Sequence, residues 1–226
     1  MAIKIAILMP IYNGDEFFKE SFSSIILQNY KNWQLWIAIN GHPKGSNIYN
    51  NILKIITPFA KEYDIMLLDF GEPGNKSATL NKIVSYLSEE IKYVALLDVD
   101  DVWYPNKLEI QIPLLQKGYD IVGTKCKYFG KNTVIPEIPN GDFSNCNFKL
   151  LNPIINSSVI IHTPLAYWNE NTTNGLEDYE LWLNLHKRSG IKFYNCIEVL
   201  IKHRIHNTSA FNNNNTKYLS ELLAKY

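Results

Sequence analysis

Up to Leu97 the chain alternates between two hydrophobic periods, and that alternation leaves few folds open. Residues 3–9 form a β-branched run closed by Pro10, with Gly14 as a turn signal beyond it. Asn13 is placed to cap a helix whose first turn carries Asp15 and Glu16, carboxylates suited to the positive end of a helix dipole. Phe18, Phe22, Ile25 and Ile26 give that helix one apolar face. Residues 33–39 read as a second strand ended by Asn40-Gly41-His42-Pro43, 47–61 as a helix and 65–70 as a third strand. Residues 77–87 repeat the helical spacing through Leu80, Ile83, Val84 and Leu87, and 93–97 are apolar enough for a strand buried on both faces. This order predicts an α/β fold: a Rossmann-like, mostly parallel central sheet with right-handed crossovers and flanking helices. Ligands of such sheets bind beyond the carboxyl ends of the strands, here 10–13, 40–42, 70–76 and 98–101.

The second half is less regular. Pro105 opens a helix running towards Lys117, with Pro113 as a kink or early stop. Residues 119–128 and 156–162 read as strands, 176–188 as a helix, and 130–147 as a turn-rich loop of the kind that borders a site. The Asn run 212–215 reads as a joint before a short helix, 218–225.

Charge and composition exclude several functions. With 22 basic and 22 acidic side chains there is no basic excess for neutralising phosphates, which argues against nucleic acid as a partner. The apolar runs are far short of the ~20 residues that span a bilayer. The first run lacks a small-residue cleavage site and reads as a strand rather than a leader. Cys126, Cys146 and Cys196 form no CxxC pair, so they are expected to be buried reduced thiols in a cytoplasmic protein.

Asp98-Val99-Asp100-Asp101 carries the most chemistry. An apolar strand delivers three carboxylates to the sheet edge, where they repel one another, and a divalent cation would relieve that repulsion. Hard oxygen ligands suit Mg²⁺ or Mn²⁺, which commonly take one or two carboxylates plus substrate phosphates. The plain alternative is a solvated acidic turn in which Asp101 caps a helix.

The stretch from Tyr93 to Leu108, with Asp98, Asp100, Asp101, Trp103, Pro105 and Lys107, resembles the metal-binding signature of GT-A glycosyltransferases, notably the inverting family two. Four other segments resemble that family in the same order. They are the opening strand ending Pro10-Ile11-Tyr12-Asn13, Ser24-Ile25-Ile26-Leu27-Gln28-Asn29-Tyr30, Leu176-Glu177-Asp178-Tyr179-Glu180-Leu181-Trp182, and His203-Arg204-Ile205-His206-Asn207-Thr208-Ser209. The resemblance covers residues 3 to 210.

It implies an inverting, metal-assisted transfer of a sugar from a nucleotide-sugar to an acceptor hydroxyl. Residues 1–104 would bind the donor, 105–210 the acceptor, and 211–226 would form a joint and terminal helix. Asp178 would be the general base. Pro10, Tyr12 and Asn13 would hold the nucleotide, with the Tyr12 ring flat against the base. Asn40 stands where the family usually has a base-reading Asp; Asn both donates and accepts hydrogen bonds, so the nucleotide is left open, with UDP the commonest carrier. Asp98 would touch ribose or sugar, Lys76 and Asn81 the nucleotide or donor sugar, and Arg204, one of two arginines, a phosphate. Asp100 and His206 would hold Mn²⁺ or Mg²⁺, with His203 a weaker candidate. Trp103 and Tyr104 would wall the donor pocket or pack in the core. The acceptor would be a carbohydrate, lipid-linked or protein hydroxyl, reached from the cytoplasm with or without peripheral membrane contact. The competing readings are a nucleotide-sugar-binding module without catalysis and a sugar-phosphate nucleotidyltransferase. The latter wants more glycines after the first strand than the single Gly14.

Overall fold

The structure, a computed structural model, describes residues 2–72, 74–131, 133–172, 175–206 and 216–226. The first half follows the alternation: β1 (Ile5–Ile11), α1 (Asp15–Ile26), β2 (Trp33–Asn40), α2 (Asn47–Ile56), β3 (Ile65–Gly71), α3 (Lys76–Ser85) and β4 (Tyr93–Leu96). These strands pair in parallel in the order β3-β2-β1-β4. The period-2 pattern of β1 divides the core. Ile5, Ile7, Met9 and Ile11 face a cluster with Phe18, Phe22 and Ile25 of α1 and Ile52 of α2, while Ala6 and Leu8 face the opposite cluster with Leu80 and Ile83 of α3. Each such buried side chain contributes roughly 1.5–3 kcal/mol, so the layered sandwich holds the strand ends rigidly.

Beyond β4 come β5 (Val102–Trp103), α4 (Lys107–Gln116), β6 (Ile121–Gly130), β7 (Gly141–Asp142), β8 (Ile160–His162), α5 (Glu177–His186), β9 (Phe193–Ile205) and α6 (Thr216–Ala224). Antiparallel β8 bridges β4 to β6, β9 pairs parallel with β6, and β5 and β7 pair antiparallel with β9. The α/β class stands, with a mixed second half.

Several local expectations fail for physical reasons. Gly14, at φ +93°, caps α1 and no side chain bonds there, so Asn13 is not the cap. The helix α2 ends at Ile56, where a 3-10 turn, Thr57–Phe59, takes over with Pro58 inside it. Pro113 neither stops nor shortens α4, which runs on to Gln116. Of the expected strand 156–162 only Ile160–His162 forms a strand; Asn156–Ser158 is a 3-10 turn. The 13-residue β9 was not anticipated, because its burial alternation is broken around Cys196–Val199 by a bulge. Cys126 and Cys196 are buried as expected, but Cys146 is exposed. The Asn run 212–215 lies outside the described residues. Leu222 of α6 is buried in the second core cluster, with Leu219, Leu223 and Tyr226 against it. Among the described residues no helix is long and apolar enough to cross a membrane.

Candidate active site

A cleft of about 740 Å³ opens at the carboxyl ends of the parallel strands, within the size range of small-molecule sites. Pro10, Tyr12 and Asn13 line it from the end of β1, Asn40 from β2, Gly74 to Lys76 from the β3–α3 connection, Asp98 to Asp100 from β4, and His203 and His206 from β9 and beyond. Residues spread over most of the chain are therefore gathered at one edge.

At the outer wall the Tyr12 ring is 56% exposed and stacks on His42 with centroids 5.3 Å apart. A Cβ at Gly41 would run into that ring, so the glycine, at φ +74°, is required there. Asn40 is buried and its amide donates to Ile11 O at 3.0 Å. An ionised Asp could not make that bond, which gives the departure from the family pattern a structural use.

The acidic turn splits by direction. Asp98 N is bonded to Ser157 Oγ, and Asp101 N to Asp98 O, at 3.1 Å each. Asp101 is fully buried and faces away from solvent, accepting from Arg204 N and His203 Nδ1 at 2.9 Å each. It therefore anchors β9; it neither caps a helix nor joins Asp98 and Asp100 in lining the cleft. Burial alone would lower the His203 pKa, but Asp101 in particular raises it to about 9, so the imidazole is cationic at neutral pH. Asp100 is held above the ordinary carboxylate value by burial and by repulsion from Asp101 and Asp98, against the hydrogen bond from His206 Nε2 at 2.9 Å. Among the described residues no three His, Cys, Asp or Glu side chains form a ready-made metal cage. The donor set nonetheless suits a hard dication that completes its shell with substrate phosphate: a carboxylate destabilised by like charge gains from a cation beside it.

Deeper in, Lys76 Nζ lies 3.0 Å from Asp98 Oδ1 and 3.5 Å from Asp178 Oδ2. Burial works against the ammonium, yet Asp178, Asp98 and Glu177 outweigh it and keep the Lys76 pKa well above its ordinary value. Asp98 is correspondingly held low: burial would raise it, and Lys76 and the Asn156 hydrogen bond more than offset that. Burial pushes Asp178 up to about 7, opposed by Lys76 and reinforced by Glu177 and Asp98. Trp168 Nε1 donates to Asp178 Oδ1 at 3.2 Å, orienting the carboxylate. A smaller hollow of about 210 Å³, lined by Thr172, Gly175 and Glu177 among others, adjoins the far side of Lys76.

Three expected residues are not part of the cleft lining: Asp178, which lies beyond Lys76, and two that stand elsewhere. Asn81 does not line the cleft: its amide bonds Trp168 O at 2.8 Å and Glu170 Oε1 at 3.0 Å, and accepts from Trp168 N at 2.9 Å. It staples α3 to the segment that carries Trp168. Arg204 stands behind the cleft lining, its Nε donating to Asp100 O at 2.9 Å and its guanidinium bonded to Glu20 and lying over the Phe17 and Phe129 rings. Trp103 is in the core and Lys107 is buried beneath its ring. Trp168, Glu177, Asn156 and Ser157 were not anticipated. Glu177 could have been found as a second acid beside Asp178; a lone Trp and an Asn-Ser-Ser run carry no chemical signature by themselves.

A Rossmann-like sheet with an acidic turn and a nucleotide-sized cleft at its carboxyl edge defines the GT-A glycosyltransferase class. The Glycosyl transferase family 2 profile matches residues 6–166, and the chain belongs to that family. It is a glycosyltransferase. The UDP-Glc:alpha-D-GlcNAc-diphosphoundecaprenol beta-1,3-glucosyltransferase WfgD of Escherichia coli is 26% identical over 218 residues, covering 92% of this chain and 80% of its own length. The solved structure of S. aureus TarS 1-349 in complex with UDP-GlcNAc superposes with a TM-score of 0.75 at 14% identity, over 99% of this chain and 66% of that one. The mannosyltransferase PcManGT of Pyrobaculum calidifontis, solved with GDP-Man and Mn²⁺, gives 0.73 at 13% identity, over 98% of this chain and 63% of that one. At those identities the two structures speak for the shared fold alone.

Proposed function

We propose that this glycosyltransferase moves a sugar from a UDP-linked donor to a hydroxyl of a carbohydrate acceptor, lipid-linked saccharides included, with inversion at the anomeric carbon. The observation that carries the reading is the convergence of Asp98, from the nucleotide side of the cleft, and Asp178, from α5, on the single ammonium of Lys76. Tyr12 stacks on the base, Asn40, Pro10 and Asn13 surround it, Asp98 meets ribose or sugar, and Lys76 meets the donor. Asp178 accepts the proton of the acceptor hydroxyl while that oxygen attacks the anomeric carbon; the bond to the diphosphate breaks in the same displacement, and configuration inverts. A carboxylate with a pKa of about 7 is a stronger base than an ordinary Asp and is still about half ionised at neutral pH. Asp100, with His206 beside it, would hold Mn²⁺ or Mg²⁺, which supplies a counter-charge for the departing diphosphate.

UDP is favoured by the name of WfgD; the two solved structures that share the fold hold UDP-GlcNAc in TarS and GDP-Man with Mn²⁺ in PcManGT, so a UDP- or GDP-sugar and a metal are both to be tested. The WfgD name also favours a lipid-linked acceptor. We place the reaction in the cytoplasm, with residues 1–104 serving mainly the donor and 105–210 mainly the acceptor.

A thermal-shift screen of UDP- and GDP-sugars, with and without Mn²⁺, tests this, since ligand binding raises apparent stability by mass action. The expected result is metal-dependent stabilisation by a UDP-sugar that disappears in Asp100→Ala. Asp178→Ala keeps the stabilisation but loses turnover; retained turnover removes Asp178 from its role.

A further inference from the structure

Asp98 has more holders than a cleft carboxylate needs. Beyond Lys76 on Oδ1, its Oδ2 accepts from Asn156 Nδ2 at 2.9 Å, and its backbone N–H donates to Ser157 Oγ at 3.1 Å. Both come from the 3-10 turn Asn156–Ser158, which precedes β8. Asn156 serves at a cost to itself. Its Oδ1 is buried with no hydrogen-bond partner among the described residues, which is unfavourable for a carbonyl oxygen taken out of water. Rotating the amide would turn that oxygen onto the Asp98 carboxylate, so the charge dictates the orientation.

The turn is itself clamped from behind. Trp103 Nε1 donates to Ser157 O at 2.7 Å, and Gln111 Nε2 to Ser158 O at 2.9 Å and to Val122 O at 2.7 Å. Lys107 Nζ, one turn back on α4, occupies Gln111 Oε1 at 2.7 Å and so fixes which end of the amide faces the turn. Ser24 Oγ of α1 accepts from Trp103 N at 3.1 Å, and Gln28, just past the end of that helix, bonds both Tyr104 O and Leu108 N. Gln111 apart, these residues belong to the two motifs around Ser24–Tyr30 and Trp103–Leu108, for which the reaction itself has no use.

We propose that Asn156 and Ser157 are positioning residues, held by Trp103 and Gln111, that fix Asp98 in the orientation in which it meets the donor. This rests on the reading of Asp98 as a donor contact. Lys76 is shared with Asp178, so it cannot by itself hold the Asp98 carboxylate in one rotamer when substrates enter. The 156–158 turn is the holder that does not change partners.

The test is steady-state kinetics with a UDP-sugar and Mn²⁺ for Asn156→Ala, Asn156→Asp, Ser157→Ala and Asp98→Ala, each checked by urea unfolding. Asn156→Ala is expected to raise the donor KM about tenfold, with kcat changed much less and the urea midpoint unmoved. Asn156→Asp, nearly the same shape, is expected to be the harsher change because it sets a second charge against Asp98; a purely structural role would make it the milder. In the Asp98→Ala background, Asn156→Ala adds nothing further. Ser157→Ala, which removes a hydroxyl alone, gives the same direction should Asn156→Ala fold poorly. A donor KM within twofold of wild type in both Asn156→Ala and Ser157→Ala, while Asp98→Ala raises it, overturns the positioning role and leaves the donor reading intact. An Asp98→Ala enzyme with unchanged donor binding overturns both.

Discussion

Lys76 and Asp178 face each other at 3.5 Å although 102 residues separate them in the chain. Each opens a helix, and the sheet topology brings the two helix starts to one edge. The ammonium also touches Asp98, and Glu177 lies near enough to add to its field. One cation thus balances a surplus of carboxylates. Burial first, and that surplus with it, set the protonation state of the base, and the surplus leaves the cleft ready for further positive charge.

Asp178 is therefore expected to govern the acid limb of the pH profile. Its pKa in the folded protein is raised to about 7, and only the ionised form can take a proton from the acceptor. The ratio kcat/KM should fall as pH is lowered through about 7 and level off above it. Asp178→Asn should lower kcat by roughly 10²- to 10⁴-fold and abolish the limb. A limb that persists in the variant assigns it to another group.

Lys76→Met should move the same limb upward. The ammonium favours the ionised form of Asp178, while Glu177, Asp98 and burial disfavour it, so its loss leaves the carboxyl harder to ionise. A displacement of about one pH unit or more is expected from removal of an opposite charge at this range. Lys76→Arg, which keeps the charge, should restore most of the wild-type profile; kcat/KM measured from pH 5 to 9 on all three proteins decides it.

Lys107 makes a prediction about stability. Burial lowers its pKa to about 7, so between that value and 10.5 the unfolded chain binds a proton that the folded chain does not. Stability contributed by this group rises with pH across that window, by at most about 1.4 kcal/mol per pH unit. The penalty is fully present below the window and gone above it. His203, raised from 6.5 to about 9, works in the opposite sense, its contribution being lost as pH rises between those values. Urea midpoints of wild type and Lys107→Met should therefore be compared at each pH. The stability of wild type relative to Lys107→Met should rise as pH increases from 7 to 9.

The thiols should divide cleanly. Burial pushes Cys126 and Cys196 to about 12, whereas Cys146 is exposed. Iodoacetamide on the native protein should attach one carbamidomethyl group, at Cys146, and reach the other two after denaturation. Peptide mass mapping reads the result.

What could be read from the residue pattern was whatever had a period or a charge. The β1 alternation and the α1 face followed from Ile7, Met9, Phe18 and Phe22, whose partners are close in sequence. Asp98 and Asp100 stood out because three acids crowd one apolar strand end, whereas Asp178, an acid in a helix's first turn like Asp15, was distinguished only by the family resemblance. Directions were not legible: nothing local says that Asp101 turns inward to His203 while Asp100 does not. Arg204 and Asn81 looked like ligand contacts because their chemistry suits phosphate and hydroxyl groups, yet each is engaged by neighbours that only tertiary packing supplies. The strand β9 escaped notice because a bulge breaks its alternation, and its pairing with β6 is a long-range fact. Trp168 and Asn156 depend wholly on such contacts.

That central position of β9 bears on biosynthesis. The strand lies between β6 and β5, supplies the backbone and imidazole that hold Asp101, and leads into His206 beside Asp100. A nascent polypeptide that has emerged only as far as α5 already carries every acidic group of the cleft, but lacks the rail that sets two of them. Until β9 itself has emerged, β6 is also an open edge able to pair with a neighbouring chain. Competence to hold substrate and protection of that edge thus arrive together, with β9.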